Sequence, residues 1–98
     1  MELICKVLKQ HEISVRDYTD TSGQPKQFKS IPLLLQSGSS TIYAEAVQEY
    51  ADYLRDYPTN PAHVYTATLT MNGRSYTDSN GKERYQTDIR VTSLVRLV

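Results

Sequence analysis

The chain has 98 residues, 39% of them apolar and 22% charged, with eleven basic residues balancing eleven acidic ones. That is enough chain for one compact domain and too little for two. The mean hydropathy is −0.52, and the longest apolar run, Ile31 to Leu35, is interrupted by Pro32, so nothing approaches the roughly 20 apolar residues that cross a bilayer.

The start, Met1 to Lys6, lacks the basic flank, long apolar stretch and small-residue cleavage site of a secretory signal. A single cysteine, Cys5, excludes an intrachain disulfide and a cysteine-built zinc site. A reducing cytoplasm is the expected setting.

Glu2 to Gln10 carries Leu3, Ile4, Cys5, Val7 and Leu8 and reads as a mostly buried strand. Ile13 to Tyr18 continues it as extended chain. Asp20 to Pro25 is dense in turn formers, because Gly23 supplies positive φ and Pro25 fixes φ. Gln27 to Gln36 is the return strand of a hairpin, with Ile31, Leu33 and Leu35 on one face. Pro32 cannot donate to a ladder, which predicts an edge or a bulge there. Thr41 to Tyr43 is a brief strand.

From Ala44 the period changes. Val47, Tyr50, Ala51 and Leu54 lie at the spacing of one helix face, and Pro58 and Pro61 end the helix. Tyr65, Ala67, Leu69 and Met71 then alternate with Thr66, Thr68 and Thr70, the mark of a half-buried strand. Asn72 to Arg84 is a polar hairpin with Asn80-Gly81 as a two-residue tip, a pair tolerant of positive φ. Tyr85, Thr87, Ile89 and Val91 form the inward face of the last strand. No internal repeat, low-complexity tract or linker divides the chain.

The order is strand, strand, short strand, helix, strand, strand. A five-stranded antiparallel sheet with one helix between the third and fourth strands is the pattern of the OB-fold, a small, partly open barrel. The expectation is therefore an all-β fold with one helix, one OB domain over residues 1–98. Charge is unevenly spread: Ala44 to Tyr57 holds Glu45, Glu49, Asp52 and Asp56 against Arg55 alone, leaving the remainder mildly basic. A solvated acidic face of a neutral domain accounts for this equally well.

The segment from Arg74 through Tyr76, Asp78, Gly81, Arg84, Tyr85, Thr87, Asp88 and Ile89 to Val91 resembles the last hairpin of the bacterial single-stranded DNA-binding protein family. Weaker similarity extends to Tyr18 with Ser22-Gly23, to Asp52 through Arg55, and to Val64-Tyr65. With gaps it covers roughly residues 3 to 97. The small primosomal replication protein n family is a second likeness.

This resemblance implies an OB-fold that binds single-stranded DNA with little sequence preference, in replication, recombination or mobile-element maintenance. Such binding stacks unpaired bases on aromatic faces and sets Lys or Arg along the backbone. By the resemblance, Tyr76 matches a stacking aromatic and Tyr43 falls near a second. Arg74, Lys82 and Arg84 share the hairpin of Tyr76. Tyr18, Lys26, Phe28 and Lys29 make a similar aromatic and basic group on the first hairpin. The resemblance also implies a homodimer or homotetramer, for which Ile4, Val7 and Leu8 offer apolar edge surface. RNA as a ligand stays open.

The second reading is an OB-fold protein-interaction module without DNA affinity. Its grounds are the zero net charge, the short connection at Ser37 to Ser40, and Glu45 where the family has a basic residue. The family's Gly/Pro-rich tail and acidic tip are also not in this sequence. Plainer roles suit several residues: Tyr85 in the core, Tyr50 and Tyr53 in helix packing, Cys5 as a small hydrophobe, and Arg84 and Asp88 in surface ion pairs. His11 and His63 stand far apart without companion ligands, so no metal is expected. No phosphate-binding loop, nucleotide-fold glycine pattern or catalytic constellation appears, and neither an enzyme nor a cofactor is expected.

Overall fold

The computed structural model describes all 98 residues. Its elements are β1 (Glu2–Gln10), β2 (Ser14–Thr19), β3 (Pro25–Ser37), β4 (Ser40–Val47), α1 (Glu49–Asp56), β5 (Tyr65–Thr77) and β6 (Glu83–Arg96). Alternation along β3 organises the core. Ile31, Leu33 and Leu35 are each 1% exposed or less, and in register they oppose Ala46, Ala44 and Ile42 of β4. Val7 of β1 pairs with Leu35, Cys5 with Tyr65, and Leu69 with Val91. Ala51 and Leu54 of α1 complete this one cluster.

The six strands form one sheet in the order β1-β5-β6-β4-β3-β2, and β1 also pairs with β3. Hydrogen bonding thus returns to its starting strand, making a ring of five strands with β2 attached to β3 alone. All the pairings are antiparallel except the single parallel register of Glu45 with Arg90 between β4 and β6.

The expected order of five strands with a helix after the third is corrected here to six strands with the helix after the fourth. The first extended stretch breaks at His11 to Ile13, so it yields two strands. Pro32 lies where β3 changes partner, pairing with β1 through 33–36 and with β2 through 25–30. Its carbonyl accepts the His11 N–H at 3.0 Å. A strand residue directs its N and its C=O to the same side, so the missing donor of Pro32 falls in this break. β3 is thus an interior strand, with Pro32 still opposite Glu45 of β4.

The helix also starts later than its periodicity predicts. Ala44 and Ala46 are fully buried, and their alternation toward Leu33 and Ile31 holds the backbone in β4. Gln48 then turns the chain at φ 55°. Reciprocal bonds fix the turn: Gln48 N–H donates to the Lys29 carbonyl at 2.9 Å, and Lys29 N–H donates to Gln48 Oε1 at 3.2 Å.

At the far ends of β5 and β6 the ladder outruns the core. Met71 and Tyr85 occupy core-side positions by alternation, yet are 51% and 79% exposed. Tyr85 is therefore not a core residue as its strand pattern suggested. Val7, expected at an apolar edge, is buried at 1%, whereas Ile4 and Leu8 are exposed.

Candidate nucleic-acid interface

Two hairpins project from the ring, and both present aromatic and basic side chains on the face opposite the core. In the first arm (β2–β3), Ser14 pairs with Ser30, Arg16 with Phe28, and Tyr18 with Lys26. Ile31 points inward, so alternation sends Lys26, Phe28 and Ser30 outward together with their partners. In the second arm (β5–β6), Asn72 pairs with Asp88, Arg74 with Gln86, and Tyr76 with Arg84. These residues alternate with the core side of Leu69 and Val91. Tyr43 and Glu45 of β4 share the outer face, since Ala44 and Ala46 are inward.

The two tips are near copies. Arg16, Tyr18, Thr19, Asp20 and Gly23 of the first recur as Arg74, Tyr76, Thr77, Asp78 and Gly81 of the second. Between and after them Thr21 answers Ser79, Ser22 answers Asn80, and Lys26 answers Arg84. This corrects the expectation of no internal repeat: the repeated segment is short, and its two copies are separated by most of the chain.

The turns match as well. Asp20 N–H donates to the Gln24 carbonyl at 3.0 Å and Gly23 N–H to the Asp20 carbonyl at 3.1 Å; Asp78 with Lys82, and Gly81 with Asp78, repeat this at 2.9 and 3.0 Å. Each is a three-residue loop closed by a left-handed glycine, Gly23 at φ 83° and Gly81 at φ 77°. Asn80 does not have positive φ, so the expected two-residue Asn-Gly tip is not formed. The reason is the Asp78 carboxylate: its Oδ1 accepts the N–H groups of Asn80 and Lys82, organising the wider turn. Asp20 Oδ1 does the same for Ser22 and Gln24.

Both carboxyls are held below the usual carboxylate range. The Ser22 hydroxyl is the leading cause at Asp20. At Asp78 it is the Arg84 guanidinium, bonded at 2.8 Å.

Between the arms lies a groove of about 580 Å³, walled by Arg16 and Phe28 on one side and by Arg74, Gln86, Asp88 and Arg90 on the other, with Glu45 among its lining residues. Arg16 sits 5.5 Å over the Phe28 ring, a cation–π contact. Arg74 Nε donates to Asp88 Oδ2 at 2.9 Å, and Gln86 Nε2 donates to Asp88 Oδ1 at 3.0 Å.

Of the residues singled out by sequence, Tyr18, Lys26, Phe28, Tyr43, Arg74, Tyr76 and Arg84 share the outer face, and Lys82 sits in the second turn. Tyr18, Tyr43 and Tyr76 are 42%, 58% and 47% exposed. Lys29 is separated from them: it alternates to the opposite face and its Nζ donates to Asp52 Oδ2 of α1 at 2.8 Å. Arg16, Arg90, Gln86 and Glu45 belong to the groove but were not among the sequence-derived site residues. Arg16 could have been found from its shared place, two residues before the tip tyrosine. Glu45 stands in β4, not at a helix start. No protein-family model matches the chain, and no curated protein matches it.

Proposed function

We propose that the protein binds single-stranded DNA across this outer face, with an OB-type ring as the scaffold. The ring of five strands, one helix and two projecting hairpins is consistent with that scaffold once β1 and β2 are taken as one broken strand. The observation that carries the reading is the pair of matching arms. Each sets an exposed tyrosine beside a cross-strand cation and two residues from an arginine, and an arginine-rich groove lies between them. Tyrosine faces stack on bases of any identity, each worth about 1 to 3 kcal/mol, while arginine and lysine neutralise phosphates.

The reading includes a homodimer or homotetramer. Ile4 and Val95, 62% and 57% exposed, lie in one cross-strand row through Thr66, and light scattering that reports a monomer at high concentration removes this part. A protein-interaction module without DNA affinity is the second reading. It draws on the ion pairs of Arg74 with Asp88 and of Arg84 with Asp78, which already neutralise two of the arm cations.

Fluorescence anisotropy of a labelled oligo-dT of about 30 nucleotides separates the two. Binding at low salt that weakens steeply toward physiological salt is expected. Absence of binding at low salt overturns the DNA reading and leaves the interaction module. RNA of the same length, added as competitor, ranks the two nucleic acids.

A further inference from the structure

The groove contains one group that phosphate binding does not use. Glu45 is half-buried and lines it, and its carboxylate has neither a hydrogen bond nor an ion pair. The other carboxylate of the groove, Asp88, is occupied on both oxygens by Arg74 and Gln86. A phosphate brought to Glu45 meets like charge at short range, which is unfavourable in a partly desolvated site. What suits it is a base edge that offers N–H donors.

The four bases differ at that edge. Guanine presents N1–H and the N2 amine side by side, matching the two oxygens of one carboxylate. Thymine has a single N3–H flanked by two carbonyls that repel it. Cytosine and adenine each set one amine beside a ring nitrogen acceptor. Arg16, Arg74 and Arg90 around the groove supply donors for the guanine O6 and N7 acceptors, and Phe28 supplies a ring face.

We propose that Glu45 reads base identity, accepting N1–H and N2–H of guanine, so that the protein prefers guanine-containing single strands over oligo-dT. This rests on the DNA-binding reading above and adds selectivity to it. The arms hold any nucleotide, and the floor of the groove selects one.

The test compares three labelled single strands of equal length with the whole chain: repeats of thymine-thymine-guanine, the same repeats with inosine for guanine, and oligo-dT. Lithium buffer suppresses guanine quadruplexes. Inosine keeps O6, N7 and N1–H and lacks only the N2 amine. The guanine strand is expected to bind about tenfold more tightly than oligo-dT, the discrimination of one good bidentate contact, with inosine between them. Glu45→Gln, a substitution of the same shape on the outer face, is expected to bring the three affinities together, and circular dichroism checks its fold.

Equal binding of all three strands by the natural chain overturns the selectivity and leaves DNA binding standing. A guanine preference that survives Glu45→Gln assigns it elsewhere and overturns the role of Glu45. A uniform rise in all three affinities in that variant, with their ratios unchanged, makes Glu45 a simple repulsive charge. Failure of every strand to bind removes the DNA reading and this inference together.

Discussion

The two arms carry the same tip and differ in what surrounds it. In the first, Arg16 lies over Phe28 and makes no ion pair, and Lys26 opposite Tyr18 is likewise unpaired. In the second, Arg74 is bonded to Asp88 and Arg84 to Asp78, both within the hairpin. The first arm joins the ring through β3 alone, whereas both strands of the second belong to the ring. One turn sequence has thus been set on a freely charged, singly anchored hairpin and on an internally neutralised, doubly anchored one. The tip fixes geometry, and the flanking residues decide how much charge remains for a ligand.

The largest effects should come from what the arms share. Tyr18→Ala and Tyr76→Ala are each expected to weaken oligo-dT binding by about 1 to 3 kcal/mol. The double variant should lose about the sum, because the tyrosines stand on separate hairpins with no shared partner. Anisotropy titrations of the four proteins measure this. A loss confined to one tyrosine would show that only one arm meets the strand, and the resemblance between the tips would then be one of turn chemistry alone.

A smaller effect should separate the arms. Arg16→Gln is expected to reduce the slope of log affinity against log salt by about one, the share of one phosphate contact. Arg74→Gln should reduce it less, because Asp88 already holds that guanidinium. Asp88→Asn sharpens the contrast: freeing Arg74 and removing a groove carboxylate should raise affinity and steepen the salt dependence. If Arg16 and Arg74 give equal slopes, the Asp88 pair is broken whenever DNA is bound.

How much of this could be read from the residues depends on the range of the cause. Apolar alternation in Ile31, Leu33 and Leu35 located the central strand, because burial of one face leaves a period of two. The same logic failed at Tyr85: alternation gives the face, but the core ends before β6 does. Ala44 to Val47 fits a helix by composition, and only the approach of Leu33 and Ile31 from β3 makes it a strand. Tertiary pairing overrode propensity there. The tyrosines and cations of both hairpins were legible as types. Their division between faces was not, which is why Lys29 was grouped with Lys26. The break at His11 to Ile13 shifted the strand count by one and carries no strong local signal.

Acid should act on the two tips in parallel and reach them differently. Asp20 and Asp78 titrate below the ordinary carboxylate range in the folded chain, through Ser22 at one tip and Arg84 at the other. A depressed pKa contributes stability above the unfolded value of about 4, and that contribution is lost as pH falls through the lower folded value. Protection of the Ser22, Gln24, Asn80 and Lys82 amides against exchange, taken relative to the intrinsic rate at each pH, should therefore fall below about pH 4. Asn80 and Lys82 should hold out to the lower pH, since Asp78 is charge-paired and Asp20 is not. Arg84→Gln should erase that difference, and an unchanged order in this variant would move the cause away from Arg84.

The smallest effect concerns two lysines close together on one strand. Lys26 faces outward beside Tyr18 without an ion pair, and Lys29 faces the helix and holds Asp52 at 2.8 Å. Lys26→Gln should weaken DNA binding and reduce the salt slope without altering stability. Lys29→Gln should leave binding nearly unchanged and lower Tm slightly, the modest contribution of a partly exposed ion pair. That Tm difference has a pH signature. The Lys29 ammonium holds the Asp52 carboxyl below its ordinary range, so the pair contributes at neutral pH and its contribution fades as pH falls through the folded value. Natural and Lys29→Gln proteins should accordingly converge in Tm in acid. A variant that instead loses DNA affinity at neutral pH would mean that the strand wraps past the first arm onto the helix side, and the boundary of the interface would have to be moved.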